Sequence, residues 1–188
     1  MNLIIFGPPG AGKGTQADFI VSKFNLYQLS TGEVLRNEIK NNTKLGKEIS
    51  SIINSGSLVS DDIVKKLVEI FISDDKYKNR LIFDGYPRNL NQAQTLNKLL
   101  TTYGQKIDLV LKLSVSLDTI TKRILERKTL EKRADDSEEL AIKRYKTYEK
   151  TTEPVIEYYK KLNLLKVIDG ERTIDQINKE ISDIITLI

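Results

Sequence analysis

The sequence predicts one α/β domain in which a parallel five-stranded sheet carries helices on both faces. Apolar runs of strand length alternate with longer helical patterns along the chain, the order expected when parallel neighbours are joined by helical crossovers. Most of these runs are continuously apolar, as in strands that are buried on both faces. A length of 188 residues suits a single domain with an ordinary core.

The predicted strands are short apolar segments, four of them clear and one, at 27–29, weaker. In chain order they are residues 3–6, 27–29, 81–83, 107–113 and 164–168. The predicted helical stretches are 13–24, 31–72, 91–101, 117–127, 137–161 and 173–185. Two local patterns match capping boxes, Ser30 with Glu33 and Asp135 with Glu138, and they predict helix starts near Thr31 and Asp136.

The composition narrows the classes of function. The chain has no Cys and no His, which excludes disulfides and zinc sites built on thiolate or imidazole. A net charge of +4 raises nucleic-acid binding as an alternative. However, basic residues alternate with acids, as in Lys65 and Lys66 beside Asp61 and Asp62, which is typical of a solvated helix face. We therefore expect no nucleic-acid partner.

The chain also lacks the signals of membrane or export proteins. No apolar run reaches the roughly 18 residues of a membrane-spanning helix. The first residues form a strand-like run with neither a basic region nor a small-residue cleavage site, which argues against a signal peptide. We expect a cytoplasmic protein without a membrane partner.

A glycine-rich segment follows the first predicted strand and precedes a helical pattern. Residues 7–15 read GPPGAGKGT and match G-x-x-x-x-G-K, the phosphate-binding loop (P-loop), in which backbone N–H groups and Lys13 hold phosphates. The hydroxyl residue expected directly after the lysine is replaced by Gly14, with Thr15 one position on. The motif indicates a P-loop NTPase-type fold that binds a polyphosphate, but it leaves GTPase, ATPase and small-molecule kinase open. The absence of an N-K-x-D motif argues against a GTPase.

Three blocks together, residues 7–16, 29–36 and 83–88, resemble the adenylate kinase family in order and spacing. The likeness continues through residues 123–127 and 132–136, Arg144 and residues 169–170, so it covers essentially the whole chain. This resemblance implies a helical AMP-binding insertion at 30–59 and a short lid at 127–135, within a single kinase domain at 1–188.

The resemblance implies two nucleotide sites and one metal. The residues expected at ATP are Gly10, Ala11, Gly12, Lys13, Gly14, Thr15, Arg127 and Arg172. Those expected at AMP are Thr31, Arg36, Ser57, Leu58, Val59, Gly85, Tyr86, Pro87, Arg88, Gln92, Arg133 and Arg144. The resemblance implies Asp84 as the acid that holds Mg²⁺ through water, and no zinc. The expected catalytic residues are Lys13, Arg88, Arg123, Arg127, Arg133 and Arg144.

The arginine usage supports phosphate binding independently. The chain has eight arginines against 22 lysines. We therefore expect arginine at positions that need its planar guanidinium group, which matches the geometry of phosphate. Six arginines fall at the matched positions, Arg172 lies near the expected base-binding turn, and only Arg80 is left over.

The implied reaction is a magnesium-dependent, reversible, in-line transfer, ATP + AMP = 2 ADP, by a monomer that maintains adenine nucleotide balance. The acceptor phosphate has a second pKa of about 6, so it is largely ionised and needs neither a general base nor a covalent intermediate. A UMP or CMP kinase is the nearest alternative. Thr31 and Gln92 favour AMP, because pyrimidine-specific relatives carry a smaller residue and an Asn there.

Overall fold

The computed structural model describes residues 1–131 and 137–188, and it describes the side chains of all of these except 130 and 131. Its centre is a five-stranded sheet in the order β2-β3-β1-β4-β5, and every neighbouring pair is parallel. The strands are β1 (Leu3–Phe6), β2 (Tyr27–Ser30), β3 (Leu81–Asp84), β4 (Leu109–Ser114) and β5 (Leu165–Asp169). The predicted parallel five-stranded sheet is confirmed.

Eight α-helices lie within the described residues. They are α1 (Lys13–Phe24), α2 (Thr31–Lys40), α3 (Lys44–Asn54), α4 (Asp61–Ser73), α5 (Leu90–Thr102), α6 (Leu117–Glu131), α7 (Glu138–Lys161) and α8 (Ile174–Thr186). The helical region predicted at 31–72 consists of three helices, and a short 3-10 turn, Asp75–Tyr77, follows them. None of the helices in the described ranges is both long enough and apolar enough to cross a membrane.

The sheet is covered on both faces, as the sequence predicts. Successive strand residues point to opposite faces, so Ile4 and Phe6 pack in one apolar cluster while Leu3 and Ile5 pack in another. The first cluster includes buried residues of α2, α3, α4, α5 and α7, and the second includes those of α1 and α8. A third, small cluster joins α6 to α7 through Ile120, Ile124 and Ala141.

The helix starts agree with the prediction only in part. Helix α2 begins at Thr31, but the Ser30 side chain makes no capping hydrogen bond, so the capping box predicted there is wrong. Helix α7 begins at Glu138, where the Ser137 hydroxyl accepts a 3.2 Å hydrogen bond from the Leu140 N–H. Asp135, the predicted cap of that helix, lies outside the described residues.

A capping box that the sequence analysis missed begins α8. The Thr173 hydroxyl accepts from the Gln176 backbone N–H, and the Gln176 side-chain oxygen accepts from the Thr173 N–H. The pattern of Thr followed three residues later by Gln is a recognised sequence signal for this motif, so it could have been found.

Parallel pairing brings the carboxyl ends of the strands to one edge of the sheet. Ile5 pairs with Asp84, and Ser30 pairs with the same residue from the other side. The loops after β1 and β3 and the start of α2 therefore meet at this edge, which is where open α/β sheets bind ligands.

Candidate active site

A cleft of about 800 Å³ lies at the carboxyl edge of the sheet. Its walls come from the loop after β1, helices α2, α6 and α7, the turn between α3 and α4, the loop after β3, and the turn after β5. The cleft therefore collects segments that are far apart in the sequence, and it is large enough for nucleotide-sized ligands.

Most residues predicted for the site line this cleft. They are Gly10, Ala11, Gly12, Lys13, Gly14, Thr15, Thr31, Arg36, Ser57, Leu58, Val59, Asp84, Gly85, Pro87, Arg88, Gln92, Arg123, Arg127, Arg144 and Arg172. Tyr86 is not among the lining residues; its ring is 1% exposed and its hydroxyl donates to the Gln92 carbonyl. Arg133 and residues 132–135 of the predicted lid lie outside the described residues, whereas residues 127–131 belong to helix α6.

The P-loop curls around the side chain of Lys13. The Lys13 ammonium donates to the carbonyl oxygens of Gly7 (2.8 Å) and Pro8 (3.1 Å). Gly10 and Gly12 have φ values of 85° and 91°, a left-handed conformation that favours glycine. Helix α1 starts directly after Gly12 with neither a side-chain cap nor an acid in its first turn. Its first N–H groups and the positive end of its dipole can therefore bind an anion.

Lys13 is buried near one carboxylate, Asp84, and two arginines. Burial lowers the pKa of its ammonium from 10.5 to about 8; the Asp84 carboxylate opposes this shift, and the positive charges of Arg88 and Arg127 add to it. An anionic phosphate would relieve both the repulsion between these cations and the cost of burying them. The arrangement is therefore suited to a polyphosphate ligand.

A second cationic group forms around Gly85, directly after β3. The Gly85 carbonyl accepts hydrogen bonds from the Thr31 hydroxyl (3.1 Å) and from Nε of Arg88 (2.7 Å). Gly85 has a φ of 77°, and a Cβ atom there would lie 3.1 Å from both the Thr31 hydroxyl and an Arg88 guanidinium nitrogen. A glycine is therefore required for the two side chains to converge.

Arg88 shares its surroundings with two other arginines. Burial lowers the pKa of its guanidinium, Asp84 opposes that shift, and the charges of Arg144 and Arg36 add to it. Arginine remains protonated in proteins, so the result is a cluster of positive charge. An acceptor phosphate would neutralise such a cluster through paired N–H donors.

Asp84 is the acid between these two cationic groups. It ends β3, is 9% exposed, and accepts a 3.0 Å hydrogen bond from the Gln28 side-chain amide. Within residues 1–131 and 137–188, no group of three His, Cys, Asp or Glu side chains could by itself hold a metal. One carboxylate that shares a cleft with phosphates nevertheless fits Mg²⁺, which keeps several waters and binds through one or two carboxylates plus phosphate oxygens.

Gln92 has protein partners at both ends of its side-chain amide. Its oxygen accepts from the Arg88 backbone N–H (2.7 Å), and its nitrogen donates to the Asp61 carboxylate (2.6 Å). The mixed charges around Asp61 predict a solvated helix face, so this contact was not predicted from the sequence. Burial alone would raise the pKa of Asp61, but hydrogen bonds from the side chains of Asn91, Gln92 and Asn89 outweigh burial and lower it.

Two arginines of the cleft make contacts at the turn after β5, and one of them, Arg172, belongs to that turn. Arg123 donates to the carbonyl oxygens of Gly170 (3.0 Å) and Ala11 (3.4 Å), so it connects this turn to the P-loop. Arg172 pairs with Glu180 and, more distantly, with Asp169. A contact between Arg172 and a nucleotide would therefore compete with these acids.

Comparison with known proteins agrees with the geometry. The sequence model of the adenylate kinase family matches residues 5–164. The chain is 44% identical to an adenylate kinase of Pelagibacter ubique, with 98% of this chain and 99% of the relative aligned. It is 40% identical to an adenylate kinase of Fusobacterium nucleatum and 39% identical to one of Flavobacterium johnsoniae, each with 98% of both chains aligned. The chain therefore belongs to the adenylate kinase family and is a phosphotransferase enzyme.

Proposed function

We propose that the enzyme catalyses the magnesium-dependent reaction ATP + AMP = 2 ADP by direct in-line transfer of a phosphoryl group. The observation that carries the proposal is the presence of two cationic phosphate sites in one cleft, the P-loop with Lys13 and the Gly85 group with Arg88. Asp84 pairs with Ile5, two residues before the P-loop begins, and directly precedes Gly85, so one transferring group could lie between the two sites.

The donor nucleotide is assigned to the P-loop side. The ATP phosphates would be held by the Lys13 ammonium and by the backbone of Gly10, Ala11, Gly12, Gly14 and Thr15. Arg123 and Arg127 of α6 would add positive charge. Arg172 would give up its contacts with its present acidic partners and lie beside the base. The uncapped start of α1 supports this assignment, since anions bind at such helix ends.

The acceptor nucleotide is assigned to the side formed by α2, α3 and the loop after β3. Thr31 and the arginines of the Gly85 group, namely Arg36, Arg88 and Arg144, would hold the AMP phosphate, and Arg133 would join them. The nucleoside would be surrounded by the Gln92 side chain and by two backbone segments. These segments are Ser57, Leu58 and Val59, and Gly85, Tyr86 and Pro87. Gln92 retains hydrogen-bonding capacity for this role, because an amide offers two N–H groups and two lone pairs.

The chemistry follows from the charges of the cleft. The acceptor phosphate is the nucleophile, and its second pKa of about 6 leaves it ionised at neutral pH, so no general base is needed. Lys13 and the arginines neutralise charge on the transferring group, a contribution made by preorganised donors. Bound Mg²⁺, held at Asp84 through water, would supply further charge neutralisation of the phosphates. No covalent intermediate is required.

Closure of two segments would exclude water from the transfer. We assign this role to the helical insertion, residues 30–59, and to the lid, residues 127–135, within one kinase domain at 1–188. Exclusion of water prevents hydrolysis of ATP. We expect the enzyme to act as a monomer in the cytoplasm.

An acceptor assay tests the proposal. The enzyme is incubated with Mg·ATP and, separately, AMP, UMP, CMP and GMP, and the nucleoside diphosphates are separated by chromatography. We expect AMP to react fastest and omission of magnesium to slow the reaction. Equal or faster reaction with UMP or CMP would overturn the choice of acceptor. ADP release at the same rate without any acceptor would overturn the kinase assignment.

A further inference from the structure

Asp61 lies at the first position of α4 and is surrounded by amide groups. Its carboxylate accepts hydrogen bonds from the side chains of Asn89 (3.1 and 3.3 Å), Asn91 (3.0 Å) and Gln92 (2.6 Å). All three donors belong to the start of α5, where the Asn89 side chain also caps the helix by accepting from the Gln92 N–H at 2.8 Å. Asp61 therefore fastens the start of α4 to the start of α5.

These contacts leave one orientation for the Gln92 amide. An ionised carboxylate only accepts and a backbone N–H only donates, so the Gln92 nitrogen must face Asp61 and its oxygen must face the Arg88 N–H. If the amide were flipped, its oxygen would face the Asp61 carboxylate and its nitrogen would face the Arg88 N–H, and both hydrogen bonds would be lost. Gln92 is 3% exposed and lines the cleft, so its orientation decides which polar atoms the cleft presents.

We propose that Asp61 is a positioning residue that sets the enzyme's preference for adenine over 6-oxopurines by fixing the orientation of Gln92. This inference rests on the proposed function, in which Gln92 contacts the acceptor base. In the fixed orientation, the second N–H of Gln92 donates to ring N1 of adenine and the oxygen accepts from its 6-amino group. Hypoxanthine carries a carbonyl at position 6 and an N–H at position 1, so it requires the flipped amide.

Asp61 also connects Gln92 to the rest of the expected base pocket. Val59, one of the residues whose backbone is expected to contact the base, lies two positions before Asp61 in the chain and is buried. One carboxylate thus holds the two segments that would meet the base edge, the turn before α4 and the start of α5. A site with defined donors and acceptors rejects a mismatched base because its polar groups are left unpaired.

A simpler role for Asp61 would be to stabilise the N-terminus of α4 by its charge. Asp62 serves as the control for this role, because it lies in the same first turn and is exposed. If helix stabilisation were the whole function of Asp61, then Asp61→Asn and Asp62→Asn would have similar effects on catalysis.

The test compares wild type, Asp61→Asn, Asp61→Ala and Asp62→Asn with AMP and with inosine monophosphate, at saturating Mg·ATP. For Asp61→Asn we expect KM for AMP to rise and the ratio of kcat/KM for AMP to that for inosine monophosphate to fall, each by about tenfold, the scale of a lost hydrogen bond to a charged group. KM for ATP should change by less than about threefold, since the P-loop is untouched. Asp62→Asn should match wild type.

The possible outcomes separate the two proposals. An unchanged AMP to inosine monophosphate ratio in Asp61→Asn, with wild type active on AMP, overturns the role of Asp61 alone. A wild-type enzyme inactive on AMP overturns the proposed function. If Asp61→Ala fails to fold, as thermal melting would reveal, the nearly isosteric Asp61→Asn still decides the question.

Discussion

Under the proposed function, the transfer chemistry depends most on Lys13 and Arg88. Burial destabilises the charged form of each side chain, and the Asp84 carboxylate partly offsets this effect. Each side chain also donates hydrogen bonds to backbone carbonyl oxygens. We expect Lys13→Ala or Arg88→Ala to lower kcat by roughly 10²-fold or more, the scale for removing one preorganised charge-stabilising donor. Steady-state assays in the direction of ADP formation measure this.

Arg80 provides the matched control for those two variants. It is half-buried directly before the first residue of β3, donates to the Asn25 carbonyl and is not a lining residue of the cleft. Arg80→Ala should therefore leave kcat within a factor of about two, as is usual away from a catalytic group. A kcat of Lys13→Ala or Arg88→Ala within a few-fold of the parent would contradict the assignments.

At the level of single residues, the sequence could place side chains in the cleft but not assign their partners. Gln92 is recognisable from its spacing after Arg88, yet its orientation depends on Asp61, 31 positions earlier. The mixed charges around Asp61 follow the pattern of a solvated helix, and no local pattern shows that the starts of α4 and α5 meet. Contacts of this kind are set by packing of distant segments, which periodicity does not encode.

At the scale of elements, helices α2 and α3 are packed so closely that only glycine fits at position 46. A Cβ atom on Gly46 would lie 2.1 Å from the Glu38 carbonyl oxygen, which belongs to the backbone of α2. We expect Gly46→Ala to destabilise the protein by about 1–3 kcal/mol, the usual cost of overpacking, and to lower Tm by about 2–4 °C for each kcal/mol.

The same substitution should affect one substrate more than the other. Helix α2 carries Thr31 and Arg36, so separating α2 from α3 should raise KM for AMP while KM for ATP stays near the parent value. Lys47→Ala, at the next and exposed position of α3, is the control and should change neither Tm nor KM. Equal Tm values for Gly46→Ala and Lys47→Ala would refute the close packing.

Glu171 connects two elements through its carboxylate, and its effect should depend on pH. It accepts hydrogen bonds from the Ser116 N–H and the Thr119 hydroxyl, both 2.7 Å, at the start of α6. The backbone bond from Ser116, followed by the bond from Thr119, lowers the pKa of Glu171 from 4.5 to about 2. Because the folded pKa is the lower one, this stabilisation is complete above 4.5 and is lost as pH falls towards about 2.

Urea unfolding of wild type and Glu171→Gln measures this dependence. The wild-type advantage should be largest near about pH 7 and much smaller near about pH 3, since the unfolded carboxylate then binds a proton. Glu157→Gln, at an exposed glutamate within α7, controls for a general charge effect. A wild-type advantage that stays constant over this range would show that the ionised carboxylate is not responsible.

Element boundaries could be predicted where local chemistry marks them. The break between α2 and α3 falls at Asn42, which has a left-handed φ of 52°, and at Thr43, whose side chain accepts from the Gly46 N–H. Two asparagines followed by a threonine are a turn and cap signal, so the stretch 31–72 could have been divided. Ser30 carried an equally good signal, but its side chain makes no cap bond, so that signal alone was insufficient.

At the scale of the whole molecule, the basic charge is unevenly distributed. Among the described residues, the cations that line the cleft are, apart from Lys13, all arginines: Arg36, Arg88, Arg123, Arg127, Arg144 and Arg172. Arg80 lies elsewhere, and Arg133 lies outside the described residues. The sequence could predict this concentration because arginine is scarce in the chain and has a geometry suited to phosphate. The relative placement of the two proposed phosphate sites could be read only from the fold.

Concentrated charge of this kind predicts a specific salt dependence. Lining acids, such as Asp18, Glu33 and Glu126, are outnumbered by cations in the cleft, so its field should attract anionic nucleotides. Salt shortens the screening length from about 10 Å at 0.1 M to about 3 Å at 1 M. Raising KCl across this range should increase KM for both AMP and ATP several-fold. The change in kcat should be smaller, because salt screens the attraction between the cleft and a free nucleotide more than it screens contacts inside the closed site.

A double variant separates the field of the cleft from net charge. Lys47→Gln with Lys98→Gln removes two exposed charges that do not line the cleft and lowers the formal net charge from +4 to +2. If steering arises from the arginines of the cleft, this variant should keep the parental KM values and their salt dependence. If it arises from overall charge, KM should rise at low salt and depend less on KCl. The second result would mean that the arginines clustered in the cleft interact only with bound phosphate and do not help to attract free nucleotides.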